Sequence, residues 1–137
     1  MAMHKVSNFM EARGRHFGMP FVGEIGFRSL RQPIPLGEHE HPGFEITYLF
    51  EGQVSWEMHD GTLLHLAGGD MAVTQPAVRH KGHLNVVQPS RLFWLHFNPQ
   101  FASSHMRADI RQFDIAVKET GNRAYYARDQ LDSALQS

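Results

Sequence analysis

The stretch EHEHPGFEITYLFEG, residues 38–52, places His39, His41 and Glu45 two and four residues apart. All three share one parity, and in extended chain side chains of equal parity point to the same face. Two imidazoles and a carboxylate on one face form a candidate metal site. Pro42-Gly43 permits a bend between the histidines and Glu45, so the donors can come from two consecutive strand segments and still face one interior. Further imidazoles stand at His80 and, three residues on in a segment that Gly82 could bend, at His83. Three neutral imidazoles and one carboxylate suit iron, manganese, nickel or zinc, with open positions for other ligands. His39, His41 and Glu45 alone already form the facial triad of non-haem iron sites. The rival reading is a hydrogen-bonded polar cluster, since buried polar groups must find partners.

Short strands must position these donors. Residues 21–27 carry apolar Phe21, Ile25 and Phe27 with Gly23 and Gly26 interrupting and read as an edge strand with a bulge. Pro33 and Pro35 make the following segment a connection outside the ladder. From Phe44 to Phe50 both faces are largely apolar, which predicts a central strand whose Glu45 face continues through Thr47 and Leu49. Glu51-Gly52 is then expected to turn into a hairpin with Val54, Trp56 and Met58 outgoing and Leu64 and Leu66 returning around Asp60-Gly61. Keeping those apolar sets on one face requires an odd-length loop with a glycine bulge. Further strands are predicted over residues 71–75, 84–87 and 91–97, so the regular part is all-β, a barrel or sandwich. Leu92, Trp94 and His96 share a face of the last strand and are in reach of the interior. The inferred cavity lining is Thr47, Leu49, Trp56 and Met58, with His83, Trp94 and His96 beside it.

Beyond Phe101 the period lengthens toward 3.6. Ile110, Phe113 and Val117 predict a helix that Gly121-Asn122 ends, and Ala124, Ala127, Leu131 and Leu135 predict a second one. Residues 1–19 show no sustained period and read as a mobile or loosely packed arm.

Bulk composition narrows the function class. A chain of 137 residues is one domain by length and buries roughly 68% of its unfolded surface. No window resembles a membrane span or a secretory signal, and the absence of cysteine excludes disulfides and thiolate metal sites. A cytoplasmic setting is the expectation. With 13 basic and 14 acidic residues the chain lacks the basic excess of a nucleic-acid-binding module.

The pattern His39-x-His41-x3-Glu45-x6-Gly52 resembles the first sequence motif of the cupins, small antiparallel β-barrels with a site in the mouth. GGDMAVTQPAVRHKGHLN is similar to the second cupin motif, with Gly69 eleven residues before His80. It departs in the position of Pro76, in lacking a glycine between Pro76 and His80, and in the spacing from His80 to Asn85. The order HPGFEITYLFEG, LAGGDMAVTQPAVRH, RLFWLHFNP, followed by helices, resembles the amino-terminal sensor domain of AraC-type transcriptional regulators. That resemblance implies a cupin barrel over residues 20–100 and a helical segment over 101–137. It further implies a small-molecule effector, a divalent transition metal held by His39, His41, Glu45 and His80, and a homodimer through the terminal helices. DNA binding belongs in that family to a separate carboxy-terminal domain, which residues 98–137 are too few to supply, so the expectation is a sensor domain without its DNA-binding partner. Two alternatives stand beside it: a metal-dependent cupin enzyme of oxygenase or isomerase type, and terminal helices that merely pack on their own barrel.

Overall fold

The computed structural model describes residues 7–120 and 123–126. Its strands are β1 (Ser7–Arg13), β2 (Val22–Leu30), β3 (Ile34–Pro35), β4 (Phe44–Met58), β5 (Leu63–Ala67), β6 (Asp70–Thr74), β7 (His80–Gly82), β8 (Val86–Val87) and β9 (Ser90–Phe97), followed by helix α1 (Arg107–Thr120) and strand β10 (Arg123–Tyr126). All strand pairs are antiparallel. The main sheet runs β1-β2-β9-β4-β6-β10.

Strand β4 organises the molecule. Its first half lies between β6 and β9, and its second half lies between β5 and β7, so one strand belongs to both walls of the fold. The expected turn at Glu51-Gly52 is instead a bend inside this continuous strand. A register shift against β9 between Leu49 and Glu51 marks the bend. Gly52 adopts φ 91°, and a Cβ there would come within 2.5 Å of the Pro89 carbonyl oxygen, so only glycine fits the corner. The small β3-β8 pair lies off the main sheet. Among the described residues the ladders leave β1 and β10 as edges, and the wall does not close into a complete hydrogen-bonded barrel.

The β4–β5 hairpin takes the odd-length loop that its apolar pattern demands. Trp56 faces Leu64 and Val54 faces Leu66 across the pair. The loop His59-Asp60-Gly61 is closed by a Gly61 N–H to Met58 carbonyl bond of 2.9 Å, with Gly61 at φ 88°. These residues join Leu30, Leu49, Val87 and Leu92 in the larger core cluster.

Other sequence expectations change as well: the segment at Pro33 and Pro35, expected outside the ladder, pairs through Ile34–Pro35 with Val86–Val87. The segment taken as an arm contributes β1, which pairs with β2 over its whole length, so β2 is not an edge strand. Its sequence, SNFMEAR, offers a single aromatic to the interior and no apolar alternation to announce a strand. Residues 84–87 form a strand only at Val86–Val87, because Leu84 and Asn85 adopt left-handed φ values of 57° and 63° in a short 3-10 turn. The second predicted helix begins on residues that instead form β10, where Ala124 pairs with Ala72 of β6; there the available sheet edge overrides helical periodicity. Residues 127–137, with the rest of that predicted helix, lie outside the described residues.

Helix α1 lies on the reverse of the main sheet. Val117 is buried with Phe44 and Val73, and Phe113 meets Phe44 edge-on with ring centroids 5.0 Å apart. The stripe Phe113 and Val117, expected either at a dimer contact or on the chain's own sheet, takes the second place.

Candidate metal centre

Four side chains from separate segments converge at one end of the interior. The donor atoms of His39, His41, Glu45 and His80 all lie within 4.8 Å of one another. Pro42 and Gly43 carry the chain from the histidine segment into β4, and Gly43 passes so near Phe97 that a Cβ would lie 2.2 Å from its carbonyl oxygen. Reciprocal backbone hydrogen bonds of 2.9 Å between His39 and His80 fasten the two segments side by side. Strand pairing sets Glu45 opposite His96 of β9.

Two imidazoles have their tautomers fixed from behind. His39 Nδ1–H donates to the Gly37 carbonyl and His80 Nδ1–H to the Val78 carbonyl, each at 2.8 Å. Both rings therefore present an unprotonated Nε2, the arrangement that orients a metal-binding histidine. His41 Nε2 lies 2.7 Å from Glu45 Oε2 but out of line for a hydrogen bond, and His80 Nε2 is 3.6 Å from Oε1. Neither nitrogen has an aligned hydrogen-bond partner among the described residues, although both are shut off from water and both face the Glu45 carboxylate. His96 Nε2, by contrast, is well aimed at Glu45 Oε2 at 2.7 Å.

Electrostatics follow from this packing. Burial alone would raise the Glu45 carboxyl, but His41, His80 and His96 around it together hold it well below its ordinary value of 4.5. For His80, burial works against the charged form, yet Glu45 and the Val78 carbonyl outweigh it and raise its value. Burial lowers His39, helped by the neighbouring imidazoles of His80 and His41.

The residues fit a divalent metal. Bonds of about 2.0–2.2 Å put opposed ligand atoms roughly 4.4 Å apart at most, so a spread of 4.8 Å needs only a small contraction. The two orphaned, buried Nε2 atoms gain from an ion the partner they lack in the polypeptide.

Beneath the cluster lies a cavity of about 210 Å³. Thr47, Trp56, Trp94 and His96 line it as the sequence predicts, together with His39, His41 and Glu45. Leu49, Met58 and His83 do not line it. Leu49 keeps the parity of Glu45 but is fully covered in the core, and Met58 is buried in the same cluster. His83 is carried outward by the 3-10 turn and pairs at 3.2 Å with Glu57. The cavity also takes residues not predicted from sequence: Phe9 and Glu11 from β1, and Glu24 and Arg28 from β2. Glu24 and Arg28 share strand parity with Gly26, whose missing side chain leaves room for the Trp94 indole.

Solved structures share this cupin-like fold. Oxalate decarboxylase from Bacillus subtilis, a protein with Mn(II) centres, superposes with a TM-score of 0.52 at 14% identity, covering 73% of this chain and 27% of that one. A structure of the same enzyme at pH 4.6 gives a TM-score of 0.53, also at 14% identity, over 74% of this chain and 27% of the other. A conserved Streptococcus pyogenes protein of unknown function matches at 0.50 and 16% identity, over 67% of this chain and 75% of that one. The chain thus spans about a quarter of the length of the oxalate decarboxylase chains. At such identities the likeness is one of fold. No curated protein matches the sequence. Residues 34–128 match the AraC-like ligand binding domain, and the chain belongs to that family.

Proposed function

We propose that this chain is the effector-sensing module of an AraC-type transcriptional regulator, with a divalent transition metal at His39, His41, Glu45 and His80 and a small-molecule site in the cavity below. The observation that carries the metal part is a four-donor cluster in which the buried Nε2 atoms of His41 and His80 face the Glu45 carboxylate without an aligned hydrogen bond. A polar network built for its own sake would satisfy them. Family membership supports the sensing part. A cavity of about 210 Å³ suits an effector smaller than a drug-sized ligand.

The residues divide the work. Glu45 is held by His96 and also receives the Thr47 hydroxyl at 3.4 Å, so its carboxylate is oriented before any ion arrives. A bound metal would supply a Lewis-acidic position for an oxygen donor of the effector. Trp56 and Trp94, from the two walls, restrict the cavity to small, partly apolar molecules. DNA contact belongs, on this reading, to a separate region, and the setting is cytoplasmic; no helix among the described residues is long and apolar enough to cross a membrane. Homodimerisation, part of the same reading, uses surface other than the Phe113 and Val117 stripe that α1 commits to its own sheet.

The second reading is a metal-dependent cupin enzyme. It is favoured by the donor set, which leaves coordination positions facing a cavity, and by the Mn(II) centres of the structurally similar oxalate decarboxylase. Elemental analysis of protein purified without added metal tests the site: near-stoichiometric metal, lost in His80→Leu, is the expected result. A DNA-binding region in the parent reading frame selects the regulator, whereas turnover of small organic acids by the metal-loaded chain selects the enzyme.

A further inference from the structure

Among the described residues, Arg28 is the one lysine or arginine that lines the cavity, and it meets no anion there. Strand pairing sets it between Phe9 of β1 and Leu92 of β9, and its guanidinium lies 4.6 Å from the Phe9 ring centroid and 5.7 Å from that of Trp94. Those rings stack on each other at 5.8 Å and hold the guanidinium plane. Its Nε is buried with no partner. The terminal N–H groups make no hydrogen bond or ion pair with any described residue, although Glu11, Glu24 and Glu45 line the same cavity. Two of those carboxylates are engaged: Glu24 accepts the Trp94 Nε1–H at 2.7 Å and Glu45 is held by His96.

A cation fixed against aromatic faces in a half-buried place, with its forked edge open, is the arrangement that receives a carboxylate in two parallel hydrogen bonds. We infer that the cavity takes a small organic acid, its carboxylate on the terminal N–H groups of Arg28 and its flat or apolar body along the Trp94 indole. This identifies the chemical class of the effector and rests on the sensing reading of the cavity. Position also bears on the guest's length. Arg28 belongs to the cross-strand row of Leu92 and Leu49, whereas the metal cluster belongs to the row of His96 and Glu45. Four residues of strand separate those rows, about 13 Å, so a guest seated on Arg28 meets the cluster only with its far end. A hydroxyl or second carboxylate at that end is then placed for the metal.

The test uses the full chain, metal-free and zinc-loaded, with benzoate, 4-hydroxybenzoate and adipate, each against its neutral amide. Binding is followed by calorimetry and tryptophan emission. The expected result is that at least one acid binds about tenfold or more tightly than its amide, that Arg28→Gln brings acid down to amide, and that Arg28→Lys keeps part of the preference. Far-ultraviolet circular dichroism checks that both variants fold. Equal binding of acids and amides, an unaffected Arg28→Gln variant, or no binding of any acid overturns the inference. Failure of the metal reading appears separately: metal-free protein would still prefer acid over amide, and elemental analysis would find no ion.

Discussion

Replacing His80 with leucine distinguishes a metal site from a self-sufficient polar cluster. In metal-free protein the side chain is 2% exposed, and its Nε2 is an orphaned buried nitrogen whose removal relieves about 1–3 kcal/mol. The substitution also takes the donor from the Val78 carbonyl, a loss of about 0.5–1.5 kcal/mol, and removes a 3.6 Å neighbour of Glu45. These effects offset, so metal-free His80→Leu should stay within roughly 2 kcal/mol of the parent. Zinc at about 100 times its dissociation constant should stabilise the parent by about 2.7 kcal/mol. With an unfolding entropy of about 2.1 cal/mol/K per residue, that is a rise of roughly 9 °C for a chain of this length. The variant should show no such rise. Differential scanning calorimetry of chelator-treated protein, with zinc, manganese, nickel or ferrous ion restored, reads both quantities. The reasoning is refuted if no metal moves the parent transition while metal-free His80→Leu loses more than about 3 kcal/mol, the cost of breaking a satisfied buried network.

Other consequences can be checked by simpler measurements. Because the folded Glu45 carboxyl lies below its ordinary value of 4.5, its contribution to stability is complete above that pH and is lost as pH falls through the lower folded value; urea midpoints of metal-free protein should fall in this range, and Glu45→Gln should flatten the acid limb. His80 and His39 are shifted in opposite senses around 6.5, so their effects on stability near neutrality oppose each other. Gly26→Ala should displace the Trp94 indole, since the new Cβ would meet its Cζ2 at 1.9 Å; near-ultraviolet circular dichroism should change, with about 1–3 kcal/mol lost as Glu24 gives up its partner. Leu66→Ala, at a position 2% exposed in the core, should cost about 2–5 kcal/mol by denaturant titration and leave metal content unchanged.

The donor cluster was legible in the sequence because parity and two glycine-bounded motifs constrain His39, His41, Glu45 and His80 strongly. Hairpin parity likewise required an odd-length loop, which the structure makes three residues long at His59-Asp60-Gly61. What the sequence concealed has physical causes. The strand Ser7–Arg13 is ordered by pairing with β2 rather than by its own pattern, so Phe9 and Glu11 gave no notice of their place in the cavity. Arg28 and Glu24 have the composition of a solvated face, and only the stacked rings of Phe9 and Trp94 turn that face inward. Leu49 and Met58 have the right parity for a lining, but parity fixes a side and not a depth. Arg123–Tyr126 became strand because an unfilled edge of β6 was within reach.

Strand β4 carries Glu45 and Thr47 toward the cavity and Phe44 and Ile46 toward α1, in strict alternation along one ribbon. The helix is thus mounted on the back of the very residues a ligand would touch, with a single peptide layer between them. Phe113 and Val117 therefore lie one peptide layer away from the residues that line the cavity.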